Sequence, residues 1–271
     1  MIKVSAQLSH TRVKEISFNS FVFSGGEVQV KLVDSDFEKC SRFFIHAFLH
    51  SSEEVIKLLM VTDAIRQVAP NTPINLVMPY ISYARQDRVC DSGEALGIKV
   101  FANLINTQNY SSVLVWDAHS EVSVALLNNC TNVKVSALIH SLPYLADILV
   151  SPDAGANKKV FELAKAYPDK FNKVIRADKV RDVTTGAITD TVVYCDDLQG
   201  KDVLIVDDIV DGGRTFIELA IKLKEKNVGA IFLYVTHGIF SKGLEVFEGF
   251  IDRIYVANSF ISSSNPILIK L

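Results

Sequence analysis

The sequence has little to offer a disulfide framework, a zinc site, a nucleic acid or a bilayer. Its 4 cysteines, Cys40, Cys90, Cys130 and Cys195, stand far apart with no C-x-x-C pair. That spacing argues against a zinc site or disulfide scaffold and favours a reducing compartment. There is no excess of positive charge: the formal net charge is -3 and the isoelectric point about 6.1. Nothing electrostatic therefore speaks for nucleic acid or an anionic membrane as partner. No apolar run approaches the length of a membrane span, and MIKVSAQLSH lacks the apolar core of a signal peptide. Low-complexity and short-period repeats are missing too. The expectation is a soluble cytoplasmic protein without nucleic-acid or membrane partners.

What is present is core-forming material. Hydrophobic residues make up 49% of 271 positions, and the mean hydropathy is +0.24. That length is long for one domain and short for two large ones. Short apolar runs alternate with helical patterns. Phe44–Leu49, Ile74–Met78, Ser112–Trp116 and Val133–Leu138 read as strands in the first half. Ile148–Ser151, Lys173–Arg176, Asp202–Val206, Ala230–Val235 and Arg253–Ala257 read as strands in the second. Ser52–Ala69, Gly97–Thr107, Lys158–Tyr167 and Thr215–Lys226 read as helices. Such alternation predicts an α/β fold, with mainly parallel sheets flanked by helices. The pattern occurs twice, so we expect two domains, 1–138 and 139–271, with no linker-like composition between them.

The most informative stretch is VLIVDDIVDGGRTF, Val203 to Phe216. Four apolar residues run into Asp207 and Asp208, and then into Asp211, Gly212, Gly213, Arg214 and Thr215. The apolar run fits a strand covered on both faces, and ligands in such sheets bind beyond the strands' carboxyl ends. Glycines let backbone amides approach an anion, and the following helix start favours negative charge. The paired acids suit ribose hydroxyls. The segment points to a phosphorylated sugar.

Four further polar clusters follow apolar runs: PYISYARQDR (79–88), DAHS (117–120), SPDAGA (151–156) and THGIFS (236–241). The fourth charged segment along the chain, ADKVRDVTTG (177–186), combines charge with turn residues. Each has an ordinary alternative: a charged surface loop, a structural histidine, a helix-capping aspartate, a surface hairpin. Their shared phase argues for the same edge of the sheets, where Arg85 suits forked phosphate contacts, His119 a phosphate or metal, and Asp153 a site near Mg²⁺. Lys179 and Arg181 would sit on a flap over a transferring phosphoryl group.

As a set and in this order, these motifs resemble the ribose-phosphate pyrophosphokinases, also called phosphoribosyl pyrophosphate synthases. The resemblance runs from about Phe23 to Phe260. It implies two tandem phosphoribosyltransferase-like domains, an ATP side (1–138) and a sugar-phosphate side (139–271). It implies transfer of the β,γ-pyrophosphate of ATP to the anomeric hydroxyl of ribose 5-phosphate with Mg²⁺, giving phosphoribosyl pyrophosphate and AMP. By position it implies ATP contacts at Phe23, Glu27, Arg85, Gln86, Asp87 and His119, and metal contacts at His119 and Asp153. Lys179, Arg181 and His119 become the catalytic set. Asp153, Asp207, Asp208, Asp211, Gly212, Gly213, Arg214 and Thr215 become the sugar-phosphate set. A homodimer or larger homo-oligomer is implied, with the Phe23 loop crossing between subunits.

The chain departs from the family pattern in places. Gly25 stands where an Asp is usual, Val180 where a basic residue is usual, and Ala156 where a Gly is usual. Gly212 replaces a hydroxyl residue, and Arg214 puts a long cation where a Gly normally meets the 5-phosphate. Short relatives with this kind of loop are similar to phage-type enzymes that use ADP-ribose on a route back to NAD. ADP-ribose is therefore the alternative acceptor. A non-catalytic regulatory paralogue and a nucleobase phosphoribosyltransferase are further alternatives, against which the retained ARQDR, His119, Asp153, Lys179 and Arg181 argue.

Overall fold

A computed structural model of the chain describes residues 1–8, 12–33, 37, 40–143, 146–181 and 188–271, and at residues 180, 181, 188 and 189 the backbone alone. Two compact units divide the chain, Met1–Val133 and Lys134–Leu271. The division falls before the short helix Val135–Leu138 rather than after residue 138, so that helix packs with the second unit.

The first unit runs β1 (Ile2–Gln7), β2 (Val13–Ile16), β3 (Phe18–Val22), β4 (Val28–Leu32), β5 (Arg42–Ala47), α1 (Ser52–Val68), β6 (Ile74–Val77), α2 (Gly97–Asn106), β7 (Ser112–Trp116), α3 (Glu121–Leu126) and β8 (Cys130–Val133). Its main sheet has the order β2-β1-β5-β6-β7-β8, parallel from β5 onward and antiparallel at the β2 edge. β3 and β4 form a separate hairpin. Helix α1 begins at Ser51, whose side chain accepts from the Glu54 amide at 3.3 Å. Helix α2 buries Ile98, Phe101, Ala102 and Ile105, a 3–4 spacing that turns one face to the sheet.

The second unit runs α4 (Val135–Leu138), β9 (Ile148–Ser151), α5 (Asn157–Ala166), β10 (Lys173–Arg181), β11 (Ile188–Val193), β12 (Val203–Val210), α6 (Arg214–Lys224), β13 (Ile231–Gly238), a 3₁₀ turn (Glu245–Phe247), β14 (Arg253–Ser259) and β15 (Leu268–Lys270). Its sheet has the order β11-β10-β9-β12-β13-β14-β15, and only the β10–β11 pair is antiparallel. Val203 to Val206 are all fully buried. Val203 and Ile205 face one apolar core, Leu204 and Val206 another. The sheet is thus covered on both faces, as the unbroken apolar run predicts.

Three expectations need correction. Val133–Leu138 was expected as a strand. The strand stops at Val133, and Val135 and Ile139, both buried, share a helical face. Second, β12 continues four residues past Val206, because Ile209 and Val210 still pair with His237 and Gly238 of β13. Asp207 and Asp208 therefore stand on a strand, not in a loop. Third, Lys179 and the backbone of Arg181 belong to β10, with Lys179 opposite Thr191 of β11. The expected flap is here the first arm of a hairpin, and residues 182–187 lie outside the described residues. Among the described residues, no helix is long and apolar enough to cross a membrane.

Phe101 is 1% exposed and packs on Tyr83 at 5.6 Å between ring centroids. Phe101→Ala should cost about 3–5 kcal/mol in chemical denaturation. It should also loosen the loop that Tyr83 opens, read as faster proteolysis after Arg85 and Arg88. Unchanged stability would show that α2 does not anchor this loop.

Candidate active site

In the first unit the polar clusters lie just beyond β6 and β7. The loop 79–88 is stitched to the next strand, with the Trp116 amide donating to the Pro79 carbonyl at 3.0 Å. Tyr83 turns the chain with φ 65°, and the Gln86 amide returns to its carbonyl at 2.9 Å. The Gln86 side chain lies over Gly97, where a Cβ would stand 2.1 Å from its Oε1. At the end of β7, Asp117 is buried with φ 41°, a left-handed conformation that Asp tolerates better than most residues. That bend turns His119 outward, where it is exposed.

Ser120 joins the two loops. It caps α3 by accepting from the Val122 amide at 3.2 Å, and it hydrogen-bonds Asp87. The Ser120 bond, with the charges of Arg88 and His119, holds the Asp87 carboxyl below its usual range against some burial. Arg88 Nε stands 3.5 Å from Asp87. Arg85 and Gln86 are exposed beside them. The structure thus brings Arg85, Gln86, Asp87 and His119 to one edge. The hairpin turn carrying Phe23 and Glu27 closes through the Phe23 amide and Glu27 carbonyl at 2.9 Å. Glu27 folds over Gly25, whose missing Cβ would stand 2.5 Å from its carboxylate.

In the second unit, strand order reverses between β9 and β12: β9 leads outward to β10, and β12 leads the other way to β13. Crevices at such reversals are where open α/β sheets bind ligands. Asp153 follows β9, and its Oδ1 accepts from the Ala156 amide at 3.1 Å at the start of α5. Its Oδ2 accepts from Lys179 Nζ at 2.7 Å, and Lys179 is only 15% exposed. Lys159, one helical turn along, stands 3.4 Å from Asp208. Asp207 accepts from the Asp208 amide at 2.9 Å.

This is a crowded acidic site. Burial raises the Asp207 pKa well above the ordinary carboxylate value, and the neighbouring Asp208 and Asp153 raise it further. Lys159 opposes them. Carboxylate oxygens with surplus negative charge are the donor chemistry that Mg²⁺ prefers, with one or two carboxylates completed by water and substrate phosphates. Among the described residues no group of three or more His, Cys, Asp and Glu side chains is arranged to hold a metal alone. His119 belongs to the first unit and Asp153 to the second.

Past β12, Asp211, Gly212 and Gly213 turn the chain into α6. Gly213 caps the helix with φ 81° and no side-chain bond. A Cβ there would stand 2.5 Å from the Phe247 ring. The first amides of α6, from Arg214 and Thr215, therefore face outward without a side-chain cap, an arrangement suited to an anion. Arg214 is directed along the helix, its Nε donating to Glu218 at 2.6 Å.

A profile described as the N-terminal domain of ribose phosphate pyrophosphokinase matches residues 3–108, and one described as a phosphoribosyl synthetase-associated domain matches residues 164–266. The ribose-phosphate pyrophosphokinase of Shewanella oneidensis is 30% identical over 250 residues, covering 88% of this chain and 76% of that protein. The chain belongs to the ribose-phosphate pyrophosphokinase family. The family member from Mycoplasmopsis pulmonis is 29% identical over 92% of this chain and 78% of its own length. A crystal structure of phosphoribosylpyrophosphate synthetase from Mycobacterium smegmatis shares the fold, with a TM-score of 0.76 at 19% identity, over 95% of this chain and 86% of that one. The fold is accordingly two phosphoribosyltransferase-like units.

Two residues of this pyrophosphokinase escaped sequence reading. Lys159 looks like one of several helix lysines until the turn places it on Asp208. Ser120 reads as a cap and also tethers Asp87. The side chain of Arg181 lies outside the described residues.

The raised Asp207 pKa has a definite sign. Its ionisation is disfavoured in the fold, so stability falls as pH rises from the ordinary carboxylate range through the folded value. Asp207→Asn should therefore raise Tm of the ligand-free protein at neutral pH, by about 2–4 °C for ~1 kcal/mol. The gain should shrink toward about pH 4, where free carboxyls protonate. An Asn variant less stable than wild type at pH 7 would refute the acidic crowding.

Proposed function

We propose that the protein transfers the β,γ-pyrophosphate of ATP to the anomeric hydroxyl of ribose 5-phosphate, giving phosphoribosyl pyrophosphate and AMP. The observation that carries this reading is the meeting of Asp153, Lys179, Asp207 and Asp208 with an uncapped helix start at one sheet reversal, in a chain of this family. Asp207 and Asp208 bind the ribose hydroxyls. The amides of the 211–215 loop bind the 5-phosphate. Arg85, Gln86, Asp87 and His119 bind ATP, with Arg85 and His119 on its phosphates.

Mg²⁺ is the cofactor in this reading, held through Asp153 and the substrate phosphates, and when bound it screens phosphate charge as the sugar hydroxyl approaches. Lys179 brings a cation of the chain to Asp153, with which it is partnered at 2.7 Å. It stabilises charge on the transferring group, with Arg181 beside it in sequence. Lys159 pairs with Asp208 at 3.4 Å, and Asp208 accepts a hydrogen bond from a sugar hydroxyl. No side chain needs to form a covalent intermediate, since positioning and charge neutralisation dominate phosphoryl-type transfer.

We also infer a homo-oligomer acting in the cytoplasm. Phe21, Val22 and Phe23 are each about half exposed on the β3–β4 hairpin, apolar surface that a second copy of the chain would cover. A second reading of the acceptor, ADP-ribose, is supported by the exposed Arg214 at the phosphate loop, a cation suited to one more phosphate.

Incubating the protein with ATP, Mg²⁺ and each acceptor, and resolving products by mass, tests the assignment. Ribose 5-phosphate should yield a pyrophosphorylated sugar and AMP. Consumption of ADP-ribose alone would overturn the first reading in favour of the second, and turnover of neither would revive a regulatory role. Lys179→Ala should lower kcat about 10²–10³-fold while ATP KM stays nearly constant, because its contact strengthens in the transition state. An unchanged kcat would remove Lys179 from the chemistry.

A further inference from the structure

The turn after β13 carries a lysine that the reading above leaves unused. The Cδ and Cε atoms of Lys242 stand 3.5 Å, and its Cγ 3.7 Å, from the point a Cβ would occupy on Gly212. The aliphatic stem therefore lies across the bare backbone of the phosphate loop, in ordinary van der Waals contact with the space a side chain would fill.

This juxtaposition is built in. The Gly243 amide donates to the Phe240 carbonyl at 3.0 Å, and both residues take positive φ, 54° at Phe240 and 76° at Gly243. Phe240 is buried and meets Phe247 edge-on, with ring centroids 6.3 Å apart. The same Phe247 ring covers Gly213, and the Phe240 ring covers Gly238, where a Cβ would stand 2.1 Å away. One aromatic pair thus locks the Lys242 turn and the phosphate loop to each other.

Charge separates Lys242 from the cations already placed around the site. Lys159 faces Asp208, Lys179 faces Asp153, and Arg214 is bonded to Glu218. Among the described residues no carboxylate lies within ion-pair distance of Lys242. An exposed lysine whose stem crosses a phosphate loop, with no carboxylate at its charge, is suited to an anionic ligand.

We propose that Lys242 binds the 5-phosphate of the sugar acceptor. It supplies from a neighbouring turn the donor that Gly212 lacks, and its stem lies beside Gly212. The proposal rests on reading residues 211–215 as the acceptor's phosphate loop, and it adds a binding residue from outside that motif.

Lys242→Met keeps most of the apolar stem and removes the charge, and Lys242→Arg keeps the charge. Calorimetry of ribose 5-phosphate on the ATP-free protein, with KM for ribose 5-phosphate and for ATP, gives the readouts. In Lys242→Met, Kd and KM for ribose 5-phosphate should rise about 10- to 100-fold, the loss of one charge-assisted contact. ATP KM and kcat should change less than about twofold, and Lys242→Arg should recover most of the affinity. Wild-type affinity in the Met variant would overturn the proposal while leaving the transfer reading intact. So would a loss that Arg does not restore and that accompanies a lower Tm, which marks a packing role. Phosphate binding lost in the Met variant of a protein that turns over no acceptor would support Lys242 and sink the transfer reading. Wild-type protein that binds neither ribose 5-phosphate nor inorganic phosphate would overturn both.

Discussion

Negative charge gathered at the reversal of the second sheet is the constraint on which the rest of the site depends. Three carboxylates, Asp153, Asp207 and Asp208, stand at the ends of two adjacent buried strands. Burial and the neighbouring charges of Asp208 and Asp153 oppose the ionisation of Asp207. Lys159 and Lys179 offset part of this through two ion pairs made from two different elements, α5 and β10. The surplus that remains favours a bound cation and hydroxyl donors. A site that is electrostatically incomplete by itself is suited to a ligand that brings positive charge or hydrogen-bond donors.

The surrounding fold is arranged so that this crowding does not disperse. β12 is apolar on both faces and stays paired with β13 beyond its two acids, so Asp207 and Asp208 cannot swing away as loop residues would. The Phe240–Phe247 pair then fixes the turns on either side. Gly213 serves two needs at once: a left-handed backbone, and a surface flat enough for Phe247. The first unit uses a related device with less charge. There Ser120 ties Asp87 to the loop bearing His119, and Tyr83 and Asp117 bend the chain so that polar side chains leave the sheet edge.

Legibility from sequence followed the range of the interactions involved. VLIV before Asp207 reads as a strand covered on both faces because burial of every residue leaves an unbroken apolar run. The clusters after β6, β7, β9, β12 and β13 are legible for the same reason. Val133–Leu138 was misread because its alternating apolar residues fit a strand of period 2 as well as a short helix. Only the packing of Val135 and Ile139 against the second unit separates the two. Lys179 was read as part of a flap because charge and turn residues crowd that segment. Its place on β10 depends on a partner strand, β11, that local pattern does not reveal.

By itself the sequence determined the α/β class and the two-part organisation, and it named candidate residues for the chemistry. These follow from apolar periodicity, glycine placement and motif order, all properties of short segments. The tertiary structure alone decided which charges meet: Lys159 with Asp208, Lys179 with Asp153, and Lys242 above Gly212 with no acidic partner among the described residues. Most of these contacts join different elements, and their existence depends on strand order and side-chain packing. One-dimensional spacing carries no record of either.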